Sequence, residues 1–248
     1  MNNPTPVPPD PAVRFATTRW SVVLAAGRLS SPDSEQALAQ LCQTYWYPLY
    51  AYARRRCHSR EDAEDLAQAF FASFLARNHL EGLHADRGKF RAFLLAAMKH
   101  FMANQWDKAA RLKRGGGVTH LSLDWQGADE RFHLEPQDNA SPDRLFDREW
   151  ALALLERVVT RLAEECAGEG KGLLFDQARG YLMVGEEAIP YAEAARALGL
   201  AEGAVRVAVH RLRKRYRELL REEIAQTLTD PSRVDEELRS LQAALVQG

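Results

Sequence analysis

The chain has 248 residues, enough for one large domain or two small ones, and an apolar content of 46%, which is ordinary for a globular protein. It holds no run of about 18 apolar residues, which excludes a membrane-spanning helix. Its three cysteines, Cys42, Cys57 and Cys166, are odd in number and far apart, which excludes a disulfide framework and fits a reducing cytoplasm. The formal net charge is only −1, so a bulk polyanion-binding character is not visible in the total.

Residues 1–14 are polar and Pro-rich, lack a basic-then-apolar leader pattern, and read as a disordered arm. From residue 15 to residue 115 the chain reads as a helical domain. "TTRWSVVLAAG" has Thr17 or Thr18 as N-cap and Gly27 as a stop. In the next helix Leu38, Leu41, Tyr45, Leu49 and Tyr52 recur at spacings of three and four, and Pro48 is expected to kink or divide it. "SREDAEDLAQAFFASFLAR" starts at the N-cap Ser59. Its Glu61 and Asp62 suit the positive end of the helix dipole, while Leu66, Phe70, Phe74 and Leu75 face inward. After a loop, the helix "FRAFLLAAMKHFMANQWDKAARLKR" is apolar along Phe90, Phe93, Leu94, Ala97, Met98 and Phe101. It ends basic before Gly115, Gly116 and Gly117.

Residues 116–146 lack a sustained period and read as a flexible acidic linker, with one short extended piece at "HLSLDW". A second helical domain covers residues 147–224, its first helix starting near Ser141, Pro142 and Asp143. The segment "GEGKGLLFDQARGYLMVGEEAI" reads as a turn, a short helix and a loop. Residues 225–248 form an acidic extension with a last amphipathic helix. The fold class is therefore all-α, as two small helical domains.

Within "YAEAARALGLAEGAVRVAVHRLRKRYRELL" a small residue, Ala195, is followed four residues later by Gly199 and six after that by Val205. This is helix-turn-helix spacing: close approach, a left-handed turn and a β-branched anchor. Leu198 and Leu200 bracket the turn and are expected to plug the core. One helix spans about 191–198 and the second starts near Glu202. Val205, Val209, Leu212, Tyr216 and Leu219 form its buried stripe. Arg206, Val207, His210 and Arg211 occupy the positions that reach base edges in the major groove, and Arg213, Lys214 and Arg217 those that meet phosphates. A basic solvent-facing helix in an α-hairpin is the bland alternative.

The charges are sorted along the chain. Residues 87–114 carry eight basic side chains against Asp107 alone, and residues 191–221 carry eight against three acids. Residues 124–149 hold eight acids against three bases, and residues 222–248 six against two. Two basic modules flanked by acidic segments suggest two grips on one polyanion.

"REDAEDLAQAFFASFL", followed by "GKFRAFLLAAMKHFMANQWDKAARLKR" and then by the helix-turn-helix, resembles bacterial RNA polymerase sigma factors of the extracytoplasmic-function (ECF) group of the sigma-70 family. The resemblance covers residues 33–115, the family's second region, and residues 147–222, its fourth region. It implies a transcription initiation factor without catalysis or cofactor of its own. Its partners would be core RNA polymerase and promoter DNA, with control through an anti-sigma factor, a protein kinase or a segment of the chain itself. Asp62, Asp65, Leu66 and Gln68 match the acidic helix that docks on the polymerase's largest subunit. The helix over residues 90–114 matches the element that reads and melts the minus-ten region. Arg87, Lys89, Arg91, Lys99, His100, Asn104, Lys108 and Arg111 are its candidate DNA contacts. Lys99 and His100 stand where the family usually has Arg and Asn. Trp106 faces either DNA or the core. The helix-turn-helix would read the minus-thirty-five element, and the acidic tail could fold against the basic recognition helix.

Two other readings fit parts of the sequence: a stand-alone helix-turn-helix regulator, and a helical protein whose basic faces bind RNA or acidic partners. "GEGKG" lacks the Ser/Thr and glycine spacing of a phosphate loop. No histidine has companions at metal-ligand spacing, and no nucleophile–base set stands out.

Overall fold

The computed structural model describes residues 32–75, 89–111, 132, 141–182 and 188–246, and for 32–41, 75 and 107–111 the helical backbone alone. The arm, the "TTRWSVVLAAG" helix, the loop bearing Arg87 and the "HLSLDW" piece lie outside the described residues. Those described form eight α-helices and no strand. They are α1 (Pro32–Arg54), α2 (Arg60–Leu75), α3 (Phe90–Arg111), α4 (Pro142–Gly168), α5 (Gly172–Ala178), α6 (Tyr191–Leu198), α7 (Glu202–Ala225) and α8 (Val234–Val246).

Local signals place most of the boundaries. Ser59 Oγ accepts from the Asp62 amide (3.0 Å) at the start of α2, and Ser141 Oγ accepts from Arg144 at the start of α4, where Pro142 occupies the first turn. The helix-turn-helix bounds are those read from the sequence. Gly199 sits at φ 64°, ψ 28°, and the Leu200 amide closes on the Ala195 carbonyl at 3.0 Å. Ala195 and Val205 are both buried across that turn. Two expectations need correction. Pro48 does not divide α1, which is one unbroken span. Leu200 does not plug the core but stands exposed, because the closed turn directs it outward.

The residues in the two stretches read as separate modules share one continuous apolar core. The long helix α4 is its axis, packing along α1 on one flank and against α7 and α8 on others. Trp150 of α4 is fully buried, and its indole N–H donates to the Tyr45 hydroxyl of α1 at 3.0 Å. Arg91 of α3 lies over the same indole, 4.5 Å from its centroid. A buried aromatic of this size contributes through area and through its satisfied polar edge. Around α2 and α3 the core is a chain of rings: Phe70 stacks on Phe74 (5.5 Å) and meets Phe101 edge-on (5.6 Å). Tyr45 meets Phe90 edge-on at 4.9 Å, joining that chain to α1.

Charge clamps tie α7 to α4. Arg215 forks onto Glu165 with two 2.8 Å bonds, Arg157 reaches Glu223 at 3.0 Å, and Arg161 reaches Glu222 and Glu223. The Arg215 hydrogen bonds hold the Glu165 carboxyl below the ordinary carboxylate range. A depressed native pKa gives stability that is present above the ordinary carboxyl pKa and is lost as pH falls through the native one. Glu165→Gln is therefore expected to cost about 1 kcal/mol at neutral pH, the scale of a half-exposed bidentate pair. Denaturant unfolding at pH 7 and at about pH 3 should show the gap between wild type and variant closing with acid.

Candidate nucleic-acid interface

Two helices of the first half carry the surface groups singled out from sequence. On α2, Asp62 and Asp65 are exposed on one face together with Glu61, and Leu66 is half-buried beside them. Gln68 lies three residues after Asp65, on the same side of the helix by spacing, but it is buried, 6% exposed, and so is not open to a partner there. The acidic face is thus Glu61, Asp62 and Asp65 with the edge of Leu66.

On α3 the candidate contacts divide. Lys99, His100, Ala103 and Asn104 form an exposed strip at helical spacing, and Trp106 extends it with an indole 48% exposed. The alternative of a core Trp106 is therefore excluded. Lys99 leans toward α4, where its ammonium meets Asp143 at 2.5 Å. Lys89 and Arg91, by contrast, are engaged within the chain. Lys89 Nζ is 2.9 Å from Glu236 and 2.7 Å from Glu237. Arg91 Nε donates to Glu237 at 2.5 Å, and its Nη1 donates to Asp147. Lys89, first, and Arg233 hold the Glu236 carboxyl down at about 2. Backbone pairing fixes the same place: the Phe90 amide donates to the Thr227 carbonyl at 2.9 Å, and Lys89 bridges to Leu228. Arg87 and the side chains of Lys108 and Arg111 lie outside the described residues.

The second helix of the helix-turn-helix, α7, presents Val207, His210, Arg211, Lys214 and Arg217 to solvent. Arg206 is exposed but already oriented. Its guanidinium bonds Glu202 one turn back at 2.6 Å and stacks on the Tyr191 ring at 4.2 Å, and Tyr191 in turn stacks on Tyr181 at 4.6 Å. A planar cation held by a ring and a carboxylate keeps its outer edge free for bidentate bonding. Arg213 differs. It donates twice to the Tyr181 carbonyl, at 3.1 and 3.0 Å, and so braces the segment before the helix-turn-helix. Tyr191 was not singled out from sequence. Its relation to Arg206 depends on the crossing of α6 and α7, and no periodicity encodes that crossing.

Burial pushes the Cys42 thiol up to about 12 and raises those of Cys57 and Cys166 as well, which favours their protonated forms. Among the described residues no group of three or more His, Cys, Asp or Glu is placed to hold a metal, and no helix is long and apolar enough to cross a membrane.

Residues 41–112 match the family model for sigma-70 region 2. Compared with curated proteins and with solved structures, the chain gives no significant match. The matched residues take in most of α1 with α2 and α3, the elements carrying the acidic face and the α3 strip. The match covers less than a third of the chain, and what it supports is a sigma-70 region 2 within residues 41–112.

The two kinds of arginine on α7 should separate by experiment. Arg213→Ala is expected to lower stability by about 1 kcal/mol through its lost carbonyl bonds. Arg211→Ala, exposed and outside the scaffold, should stay within about 0.5 kcal/mol of wild type. Thermal unfolding of both variants measures the difference.

Proposed function

We propose that this chain is an ECF-type sigma factor that docks on core RNA polymerase through Asp62, Asp65 and Leu66. It would engage the minus-ten region through the α3 strip and its flanking cations, and the minus-thirty-five element through α7. The observation that carries the reading is the exposed carboxylate face of α2 together with the exposed α3 strip of Lys99, His100, Asn104 and Trp106, both within the segment that matches sigma-70 region 2. A stand-alone repressor has no use for either feature. A sigma factor needs an acidic helix face for a basic partner helix. It also needs cations with an exposed ring to hold a strand whose bases have left the stack. Lys99, His100, Asn104 and Trp106 supply that second set on a single exposed strip.

The helix-turn-helix adds a duplex reader. Arg206, held by Glu202 and Tyr191, is the residue best prepared for guanine, with Val207, His210 and Arg211 beside it. Lys214 and Arg217, further along the helix, suit phosphates. With the Arg213 side chain turned to the Tyr181 carbonyl, its role in the proposal is to position the reader rather than to touch DNA.

Run-off transcription with purified core polymerase tests the proposal. Core plus this chain should initiate at discrete starts, and Asp65→Arg should abolish core binding while the variant stays folded, since Asp65 is exposed. If core neither binds the chain nor changes its choice of start sites, a stand-alone regulator becomes the better reading. Arg206→Ala should weaken binding to the preferred upstream sequence by about 1–3 kcal/mol while leaving other sequences little affected. A loss uniform across sequences would make Arg206 a phosphate contact.

A further inference from the structure

The geometry points to a built-in mask: the acidic C-terminal helix α8, with the start of α4, occupies the cations at the start of α3 that would otherwise hold nucleic acid. The inference rests on the proposed function for the identity of those cations and goes beyond it in assigning a regulatory role to the C-terminal extension.

Three independent features of the fold converge on this junction. The first is charge. Glu237 is 1% exposed and lies between Lys89 and Arg91, which are 17% and 15% exposed along their side chains. Glu236 adds a second carboxylate to Lys89, Asp147 a second to Arg91, and Asp143 closes on Lys99 one face further along α3. Four carboxylates thus stand against three cations of the proposed DNA-holding set. The second is backbone. Thr227 and Leu228, in the turn after α7, pair with Phe90 and Lys89, so the chain that leads into α8 is fastened at the same point. The third is apolar packing. Val234 and Leu241 of α8 are buried in the common core, and α8 packs along α4, which holds the carboxylates in register with the cations. A cleft of about 290 Å³ runs between α3 and α4, lined by Arg91, Leu95, Lys99, Asp143 and Asp147. Ala92, Ala96 and Phe146 line it as well, so apolar side chains and the paired charges share this seam.

The sequence also allowed the tail to fold against the basic helix of the helix-turn-helix. The carboxylates of α8 instead reach Lys89, Arg91, Arg233 and, at the far end of α7, Arg221. Of the cations in residues 206–217, Arg206 bonds to Glu202, Arg213 to Tyr181, Lys214 to Glu218, and Arg215 to Glu165 and Glu222. The mask covers the strand-holding cations and leaves both the acidic α2 face and the outer face of α7 open. A polymerase could therefore dock while Lys89 and Arg91 are still engaged. Any ligand that binds the unmasked state better would shift the balance toward it.

The test is fluorescence-anisotropy binding of a labelled mixed-sequence single-stranded oligonucleotide to the full chain without polymerase, over a range of salt. Glu236→Gln removes an exposed carboxylate, 43% exposed, and should leave the fold intact by circular dichroism. With Glu237 still 2.7 Å from Lys89, it should loosen that cation in part, tightening binding about twofold and steepening the slope of log K against log salt by less than the ~0.7 of one full phosphate contact. Glu236→Gln with Glu237→Gln should tighten binding about tenfold and steepen the slope by about 1.4. Adding Lys89→Ala and Arg91→Ala to that pair should return both quantities to wild type. Glu169→Gln with Asp176→Asn removes two exposed charges elsewhere and should give no gain. Unchanged affinity and slope in the folded Glu236→Gln protein would overturn the mask, as would an equal gain in the Glu169/Asp176 control. Core binding is read separately by co-purification. A gain in DNA affinity without core binding would sustain the mask and remove the sigma-factor reading.

Discussion

The contact on which this arrangement depends is the junction at Trp150. Its indole N–H is satisfied by Tyr45 of α1, its face carries the Arg91 guanidinium of α3, and its helix is the axis along which α7 and α8 pack. One side chain therefore joins the region matched by the family model to the half that carries the helix-turn-helix. A tryptophan suits the position because it offers a large apolar body, a single polar donor and a negative face for a cation. Arg91 can be brought close to this aromatic core only because Glu237 and Asp147 meet its charge; the desolvation of a guanidinium without such partners would be costly.

Around this junction the molecule keeps two kinds of charge. One kind is structural: Arg215 on Glu165, Arg157 and Arg161 on Glu222 and Glu223, and Arg213 on the Tyr181 carbonyl set the position of α7 against α4 and against the segment before the helix-turn-helix. The other kind is presented outward: the carboxylates of α2, the strip on α3 and the solvent face of α7. A basic sequence does not distinguish them. Arg211, Arg213 and Arg215 alternate along five positions of one helix, yet Arg211 faces water, Arg213 braces the preceding segment and Arg215 clamps α4.

The same distinction explains where sequence reasoning about the site held and where it did not. Asp62 and Asp65 were legible because an amphipathic helix with a clear apolar stripe leaves little freedom over which positions face out. Gln68, three residues after Asp65, shares that side by spacing, and its burial is not written in the stripe. Lys89 and Arg91 were legible as cations but not as engaged cations, since their partners Glu236, Glu237 and Asp147 lie far along the chain. Tyr191, which orients Arg206, carried no signal at all, because a stacking pair across a helix-turn-helix depends on the interhelical angle.

By itself the sequence determined the local structure. Apolar residues every three or four positions, Ser caps before acidic or proline-bearing first turns, and a glycine able to adopt positive φ after Leu198 specify the helices, several of their starts and the helix-turn-helix spacing. These are short-range effects, written within a few residues of where they act. Only the tertiary structure decided which of the sorted charges meet one another. Two segments read as separate modules with a linker between them share a core along α4, and that packing sets the acidic C-terminal helix against the start of α3. Ion pairing of this kind is a property of spatial proximity after apolar faces have been buried, and no period or motif in the chain records it.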